Sequence, residues 1–295
     1  MPPLVSITLV TWNRWHLFEQ CLRSIARQTY APYEVIVVDQ GSSDGTTTSI
    51  AQQFPHVTLI RNTTNTLYCH GQNQAIRASR GVVVLALNND VVLHPAFLTH
   101  AVAAMDTAQR IGMVCGKVLS WDARHLDGAG QALSLACHPT DRGYRQRDAG
   151  QFDQAAEVFG PGGAAPLYRR DLLEDVAERG QYFDEQLGCF YEDLDLAWRA
   201  QRRGWKARYT PQAVAYHYRG ATAQGPRPRL RWLARFDLTA LPPHLQHRFL
   251  TNRQAVLRKT AVWKCQPWRW PWMLAYEASA RLGLWLSCNP SPSSI

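Results

Sequence analysis

The sequence predicts an α/β fold: a mostly parallel central sheet with helices on both faces. Three observations carry this expectation. Short aliphatic runs recur through the first third of the chain, each too uniformly apolar for a strand with one wet face. Stretches with helical apolar spacing separate them, which is the pattern of βαβ units. Polar residues collect at the carboxyl ends of the apolar runs, where ligands of open α/β sheets sit.

Leu4 to Val10 is the first run. MPPLVSITLVTW lacks a basic n-region and a small-residue cleavage site, so it reads as a strand rather than a signal peptide. Trp15 to Gln28 carries Leu17, Cys21, Leu22 and Ile25 at helical spacing. EVIVV, Glu34 to Val38, is the second strand and ends at Asp39. QGSSDGT is turn chemistry, with Ser43 or Asp44 capping a helix that runs to Phe54. Val57 to Ile60 is the third strand, His70 to Ser79 a short helix closed by Gly81, and Val82 to Leu87 the fourth strand. Pro95 opens a helix towards Gln109, since proline suits a first helical turn.

Beyond Ile111 the pattern is less regular. IGMVCGKVL is a strand, DARHLDGAGQALSL a turn with short strands, and TDRGYRQRDAGQFDQ a loop. Helical spacing returns at Arg169 and again from Tyr191 to Arg203. KARYT and AVAYHY read as two short strands. RGATAQGPRPRLRW is linker-like, and a basic, Trp-rich stretch follows it. The expected division is an α/β domain over 1–225, with halves 1–110 and 111–225, and a helical basic extension over 226–295.

Hydrophobic content of 46% and charged content of 19% exclude a disordered chain. The formal charge of +9 favours an acidic partner such as nucleotide phosphates or an anionic membrane. Nothing resembles a nucleic-acid-binding module, so no nucleic-acid partner is expected. The seven cysteines are scattered without a CxxC pair, which indicates neither zinc nor a disulfide framework and fits reduced thiols in the cytoplasm. No segment has the ~18 uncharged apolar residues that a spanning helix needs.

The polar strand ends supply the candidate chemistry. Asp39 ends a buried strand before a Gly/Ser turn, where a carboxylate can accept from a base imide or cap the turn. Asp90 follows Asn88 and Asn89 at the end of the most apolar strand. A divalent cation on a pyrophosphate can compensate that acid; an Asx-turn is the plainer alternative. Glu192, Asp193 and Asp195 open a helix. The helix dipole favours acids there, and Asp195–Arg199 is an i,i+4 pair. A carboxylate held among Phe190, Tyr191, Leu194 and Leu196 is also a candidate general base. His217 ends an apolar strand and can complete a mixed metal shell. FGPGGAAPLYRRDLL has a glycine run that lets backbone approach or flex over a ligand; it matches neither a P-loop nor GxGxxG.

As a set, VSITLVTWNRWHLFEQCLRSIARQTYAPYEVIVVDQGSSDGT, LNNDVVLHP, GPGGAAPLYRRDLL, FDEQLGCFYEDLDLAWRAQRRGW and AVAYHYRG resemble family 2 glycosyltransferases of the GT-A fold. Their order and spacing are similar to the branch containing bacterial rhamnosyltransferases, over Val5 to Gly220. The resemblance implies a nucleotide-diphospho-sugar transferase with a nucleotide-binding half over 1–110 and an acceptor-binding half over 111–225. It implies that Thr11, Asn13 and Arg14 line the nucleotide pocket, that Asp39 meets the base, and that Asn73 lies by the nucleotide or sugar; Asn88 and Asn89 can hydrogen-bond a sugar or the Asp90 carboxylate. Asp90 and His217 are implied as ligands of Mg²⁺ or Mn²⁺, Asp193 as catalytic base, and Glu192 as its neighbour beside the acceptor. Two departures stand out. Gln40 replaces a usual Asn, and Tyr68, Cys69 and His70 follow Asn65–Leu67 in place of the commoner sequence, which reshapes the sugar pocket.

The implied reaction is metal-assisted transfer with inversion, from dTDP-rhamnose as first expectation, to a glycan or lipid-linked acceptor in cell-surface polysaccharide synthesis. Two other readings stay open. A sugar-1-phosphate nucleotidyltransferase needs a basic Gly-rich loop after the first strand, which TWNRWHL does not supply. A membrane-associated scaffold with a decayed site is opposed by the retained Asp90, Glu192, Asp193 and His217.

In the extension, Arg and Lys interleave with Trp, a composition suited to anionic headgroups and the membrane interface. Trp272 to Leu286 is expected as a helix with a Glu277–Arg281 pair. It either lies on the inner face of the plasma membrane or packs on the domain or on a second subunit as a homodimer.

Overall fold

The computed structural model describes residues 1–106, 110–219, 243–261 and 266–288. The linker-like stretch around Pro226, the end of the helix expected to reach Gln109, and Cys265 lie outside these residues. The chain divides into two compact units: Met1–Ala132 with Thr140–Tyr218, and Leu133–Pro139 with Arg219–Ile295.

In the first unit, β1 (Val5–Thr11), α1 (Trp15–Ala26), β2 (Tyr33–Asp39), α2 (Thr46–Gln53), β3 (Thr58–Arg61), α3 (Leu67–Ala78) and β4 (Val83–Asn88) follow in order. Their strands are parallel, in the sequence β3-β2-β1-β4. Both faces are covered. Val5, Ile7 and Leu9 pack with Phe18, Leu22 and Ile25 of α1. Ile36 and Val38 pack with Ala75 of α3. Each such aliphatic side chain contributes about 1.5–3 kcal/mol on burial. That explains continuous apolar runs in place of alternation. α3 begins at Leu67, ahead of the His70 start expected from its apolar spacing.

β5 (Val91–Leu93), α4 (Phe97–Met105), β6 (Ile111–Ser120), β7 (Leu126–Gly128), β8 (Gln131–Leu133), β9 (Pro139–Asp141), β10 (Ala156–Val158), β11 (Leu167–Arg169), α5 (Arg170–Val176), α6 (Glu192–Arg202) and β12 (Lys206–His217) follow. The main sheet runs β10-β12-β6-β11-β4-β1-β2-β3, with β5 on β12 and β7 on β6. The sheet is mixed: among the described residues four ladders are parallel, these the longer ones, and five short ones are antiparallel. β11 is inserted antiparallel between β4 and β6. Its three residues are too short to carry a directional pattern, and no crossover helix dictates their direction.

KARYT and AVAYHY form one strand, β12, interrupted by a register shift between Thr210 and Val214. The bulge holds Ala213 against Gly116 so closely that a Cβ there would lie 1.9 Å from the Ala213 oxygen. Glycine at 116 is therefore required. The shifted register sets His217 beside Ser120 on one side and Val91 on the other.

The second unit holds α7 (Pro243–Lys259), a 3-10 turn (Pro267–Arg269) and α8 (Trp270–Cys288), and Arg253 joins α7 to α8. This buried guanidinium donates to Glu277 at 3.0 Å and to the Ala136 carbonyl at 2.7 Å, and lies over the Tyr276 ring. The Glu277–Arg281 pair forms at 3.2 Å. One face of α8 is thus used within its own unit. Trp268, Trp270, Trp272 and Leu274 remain exposed. Among the described residues no helix is long and apolar enough to cross a membrane.

Candidate active site

Register brings the predicted polar strand ends together. Thr11 pairs with Asp39, and Val10 with Asn88, so the carboxyl ends of β1, β2 and β4 stand side by side. Asn89 Nδ2 donates to Thr11 Oγ1 at 3.2 Å. After β1 the backbone turns through Asn13 and Arg14, both left-handed at φ 58° and 61°. Such non-glycine residues are held at a cost and cluster at ligand sites. Asn13 is fixed to the next turn: its N–H donates to Ser42 Oγ at 2.7 Å, and its Oδ1 accepts from the Ser43 N–H at 2.9 Å. The Arg14 side chain is exposed at the rim.

Asp39 is 2% exposed and accepts from the hydroxyls of Ser42 and Thr47. In this conformation it shapes the turn after β2. Asp44, rather than serving as the helix cap itself, accepts from the Thr46 and Trp15 amides, each at 3.1 Å. Asn73 is likewise spent. Its Nδ2 donates to the Phe183 carbonyl and Glu185, and its Oδ1 accepts from the amides of Tyr182 and Phe183. Rather than offering a free amide, Asn73 fastens α3 to the 182–185 segment. His70 adds a 2.9 Å contact to Glu185, and Tyr68 sets its ring edge-on to Phe183. Gln40, 1% exposed, clamps the loop before α3: it donates to the Leu67 carbonyl and accepts from Asn62 and Thr66.

Asp90 and His217 meet because β5 pairs with β12. Tyr218 N–H donates to the Asp90 carbonyl at 3.0 Å, and His217 Nε2 lies 3.2 Å from Asp90 Oδ1. The opposite ring nitrogen, Nδ1, lies 2.8 Å from Asp127 Oδ2. Burial disfavours the imidazolium, but hydrogen bonds to Asp127 and Asp90 outweigh it and raise the His217 pKa to about 9. Asp127 is 4% exposed and had no signal in the sequence, lying in an ordinary DG turn pattern. Among the described residues no group of three or more His, Cys, Asp or Glu is placed to hold a metal ion. The donor chemistry nevertheless fits two ligands of one cation, a carboxylate oxygen and an imidazole nitrogen, with Asp127 orienting the ring from behind. Phosphate oxygens would have to complete the shell.

The second acidic cluster separates into parts. Asp195 is fully buried and pairs with Arg199 at 2.9 Å, while Arg199 also donates to the carbonyls of Val176 and Tyr182. That pair anchors α6. Glu192 and Asp193 instead line a partly open cleft beneath the glycine run: a Cβ on Gly163 would lie 3.5 Å from Asp193 Oδ2 and 3.8 Å from Glu192 Oε1. Two consecutive left-handed residues, Phe190 and Tyr191 at φ 69° each, aim these acids. Burial, then the Asp193 charge, pushes the Glu192 carboxyl up. Burial, then Asp141, does the same to Asp193. Asp193 is the better stabilised anion, since Oδ1 accepts from the Leu194 N–H and Oδ2 from Gln131 Nε2, both at 2.8 Å. Glu192 Oε2 is buried with no hydrogen-bond partner among the described residues. Two half-buried like charges side by side do not both ionise readily, so Glu192 keeps the proton and Asp193 the charge.

The mixed sheet, with a carboxylate–histidine pair at one strand end and a second acid pair under the glycine run, belongs to a GT-A-like glycosyltransferase fold. Residues 2–234 match the model of "Glycosyltransferase like family 2", and the chain belongs to that family. The N-acetylglucosaminyl-diphospho-decaprenol L-rhamnosyltransferase of Mycobacterium tuberculosis is 25% identical over 256 residues, 78% of this chain and 81% of that protein. Protein y4gI of Sinorhizobium fredii, uncharacterized, is 28% identical over 236 residues; these are 75% of this chain but span only 25% of that protein. In fold, a mannosyltransferase of Pyrobaculum calidifontis, solved with GDP-Man and Mn²⁺, superposes with a TM-score of 0.57 at 20% identity, over 97% of this chain and 88% of that one.

Proposed function

We propose that this protein transfers a sugar with inversion from a nucleotide-diphosphate donor to a hydroxyl of a glycan or lipid-linked acceptor. The observation that carries the reading is the Glu192–Asp193 pair under Gly163, with its charge on Asp193. Asp193 takes the acceptor's proton as the acceptor oxygen bonds to the anomeric carbon. The bond from that carbon to the phosphate oxygen breaks, and its electron pair leaves with the nucleoside diphosphate. Attack from the face opposite the leaving group inverts the centre.

Thr11, Asn13, Arg14, Asn88 and Asn89 form the donor side, with Asp39 shaping it. Asp90 and His217 would hold Mg²⁺ or Mn²⁺, which when bound neutralises charge on the departing diphosphate. dTDP-rhamnose is the donor we favour. The mycobacterial relative's name supports rhamnose as the sugar, and cell-surface polysaccharide synthesis is the role we assign with it. The exposed Trp268, Trp270, Trp272 and Leu274 suit an interfacial position at the inner face of the plasma membrane.

The test is a panel of dTDP-, UDP- and GDP-sugars with and without Mn²⁺, read by thermal shift and donor turnover, with Asp193→Asn alongside. Wild type should be stabilised by dTDP-rhamnose and turn it over. Asp193→Asn should keep the shift and lose turnover by about 10²-fold or more. Absence of binding and turnover across the panel would overturn the reading.

A further inference from the structure

Gln131 joins three parts of the acceptor cleft. Its backbone N–H donates to the Gly160 carbonyl at 2.8 Å, and its carbonyl accepts from the Phe159 N–H at 2.9 Å, so β8 tethers the glycine run. Its side chain, 5% exposed, donates from Nε2 to Asp193 Oδ2 at 2.8 Å. The other amide atom, Oε1, is buried with no hydrogen-bond partner among the described residues. Buried carbonyl oxygens are rarely left so, and an orphan beside a reacting centre points to a ligand group that supplies the donor.

We propose that Gln131 both positions Asp193 and reads the acceptor: Nε2–H fixes the base, while Oε1 accepts a hydrogen bond from a second hydroxyl of the acceptor sugar. The surroundings specify the acceptor's chemistry. Gln131 Oε1 and the Asp193 carboxylate are acceptors, while the protonated Glu192 carboxyl adds a single O–H beside them. Asp141 flanks the same run, with its Oδ1 3.1 Å from where a Cβ on Gly162 would sit. Such a lining suits a neutral polyol with several O–H donors and repels a phosphate or carboxylate. The attacking group is therefore a sugar hydroxyl rather than an anionic phosphate.

This inference rests on Asp193 as the base. Glu192 on its own helix, Asp141 from β9, Tyr168 from β11 and Tyr68 from α3 are the titratable groups that face Asp193. Each is acidic. Gln131 Nε2–H is the side-chain donor that favours the charged form, and its loss raises the pH at which Asp193 ionises.

The experiment measures transfer by wild type, Gln131→Leu, Gln131→Glu and Asp193→Asn. The probes are octyl glycosides of glucose, galactose, N-acetylglucosamine and rhamnose, with a polyprenyl phosphate as the anionic arm. Gln131→Leu should keep the donor-induced thermal shift, raise the acceptor KM by about tenfold, and move the acid limb of the pH–rate profile to higher pH. Gln131→Glu keeps the volume and the backbone tethers, and its added like charge should move that limb further. A wild-type KM and an unmoved limb in both variants, with Asp193→Asn inactive, would overturn this inference alone. Preferred transfer to the phosphate would overturn it too. Activity of Asp193→Asn equal to wild type, or no transfer to any probe, would overturn it together with the assignment of the base.

Discussion

His217 Nε2 lies 3.2 Å from Asp90 while its Nδ1 lies 2.8 Å from Asp127, so one imidazole is held between two carboxylates. Asp127 is the partner that fixes which way the ring faces. Loss of an orienting carboxylate behind a metal-ligating histidine typically costs 10–100-fold, about what we expect for Asp127→Ala in Mn²⁺ activation. The Mn²⁺ concentration for half-maximal turnover measures it. A variant activated like wild type would separate Asp127 from the metal's support.

The half-buried acid pair makes stability depend on pH. Burial, with the neighbouring charge, holds Glu192 above the ordinary carboxylate range, and Asp193 is raised as well. The folded state therefore keeps protons that the unfolded chain gives up. The pair's favourable contribution is complete below the unfolded carboxyl values and is lost as pH rises through the raised ones. Glu192→Gln should gain Tm over wild type at about pH 8 and show no gain at about pH 4. Melts across that range give the answer, and a constant difference would contradict it.

Asp195 sits two residues from the proposed base and has a different task. Its pair with Arg199 is almost wholly buried and ties α6 to the Val176 and Tyr182 carbonyls. Removing one partner leaves an uncompensated buried charge, so Asp195→Ala should destabilise by about 3–5 kcal/mol. Denaturant unfolding would show this. Asp193→Asn should leave the midpoint nearly unchanged, the reverse of its effect on turnover.

Gln40, 1% exposed, holds the loop before α3 by a single side chain. Its amide bridges Leu67 on one side and Asn62 and Thr66 on the other. An asparagine is one methylene shorter and cannot span both. Gln40→Ala leaves buried groups unpaired and should cost about 2–3 kcal/mol. Gln40→Asn should recover part of that. Unfolding curves for the two variants test the order.

Much of the fold was legible in the sequence because burial on both faces writes itself locally. Val5–Thr11, Tyr33–Asp39 and Val83–Asn88 are strands that helices cover from either side, and their composition says so. Asp39, Asp90 and the Glu192–Asp193 pair also stood out, because an acid at the end of an apolar run needs a reason. Gln131 and Asp127 did not, since neither interrupts a local pattern.

The sequence by itself determined an α/β chain with a crevice at the carboxyl ends of β1, β2 and β4, and a second acidic cluster far along the chain. Only the tertiary structure decided how those acids divide. Asp195 goes to the core with Arg199, Asp193 to the cleft with Gln131, and Asp90 to His217 with Asp127 behind it. It also decided that Asn73 and Asp39 spend their polar atoms on neighbouring loops. The physical reason is range. Apolar periodicity is a property of adjacent residues, whereas a hydrogen-bond partner is chosen by strand register and bulges that bring distant residues within 3 Å or so.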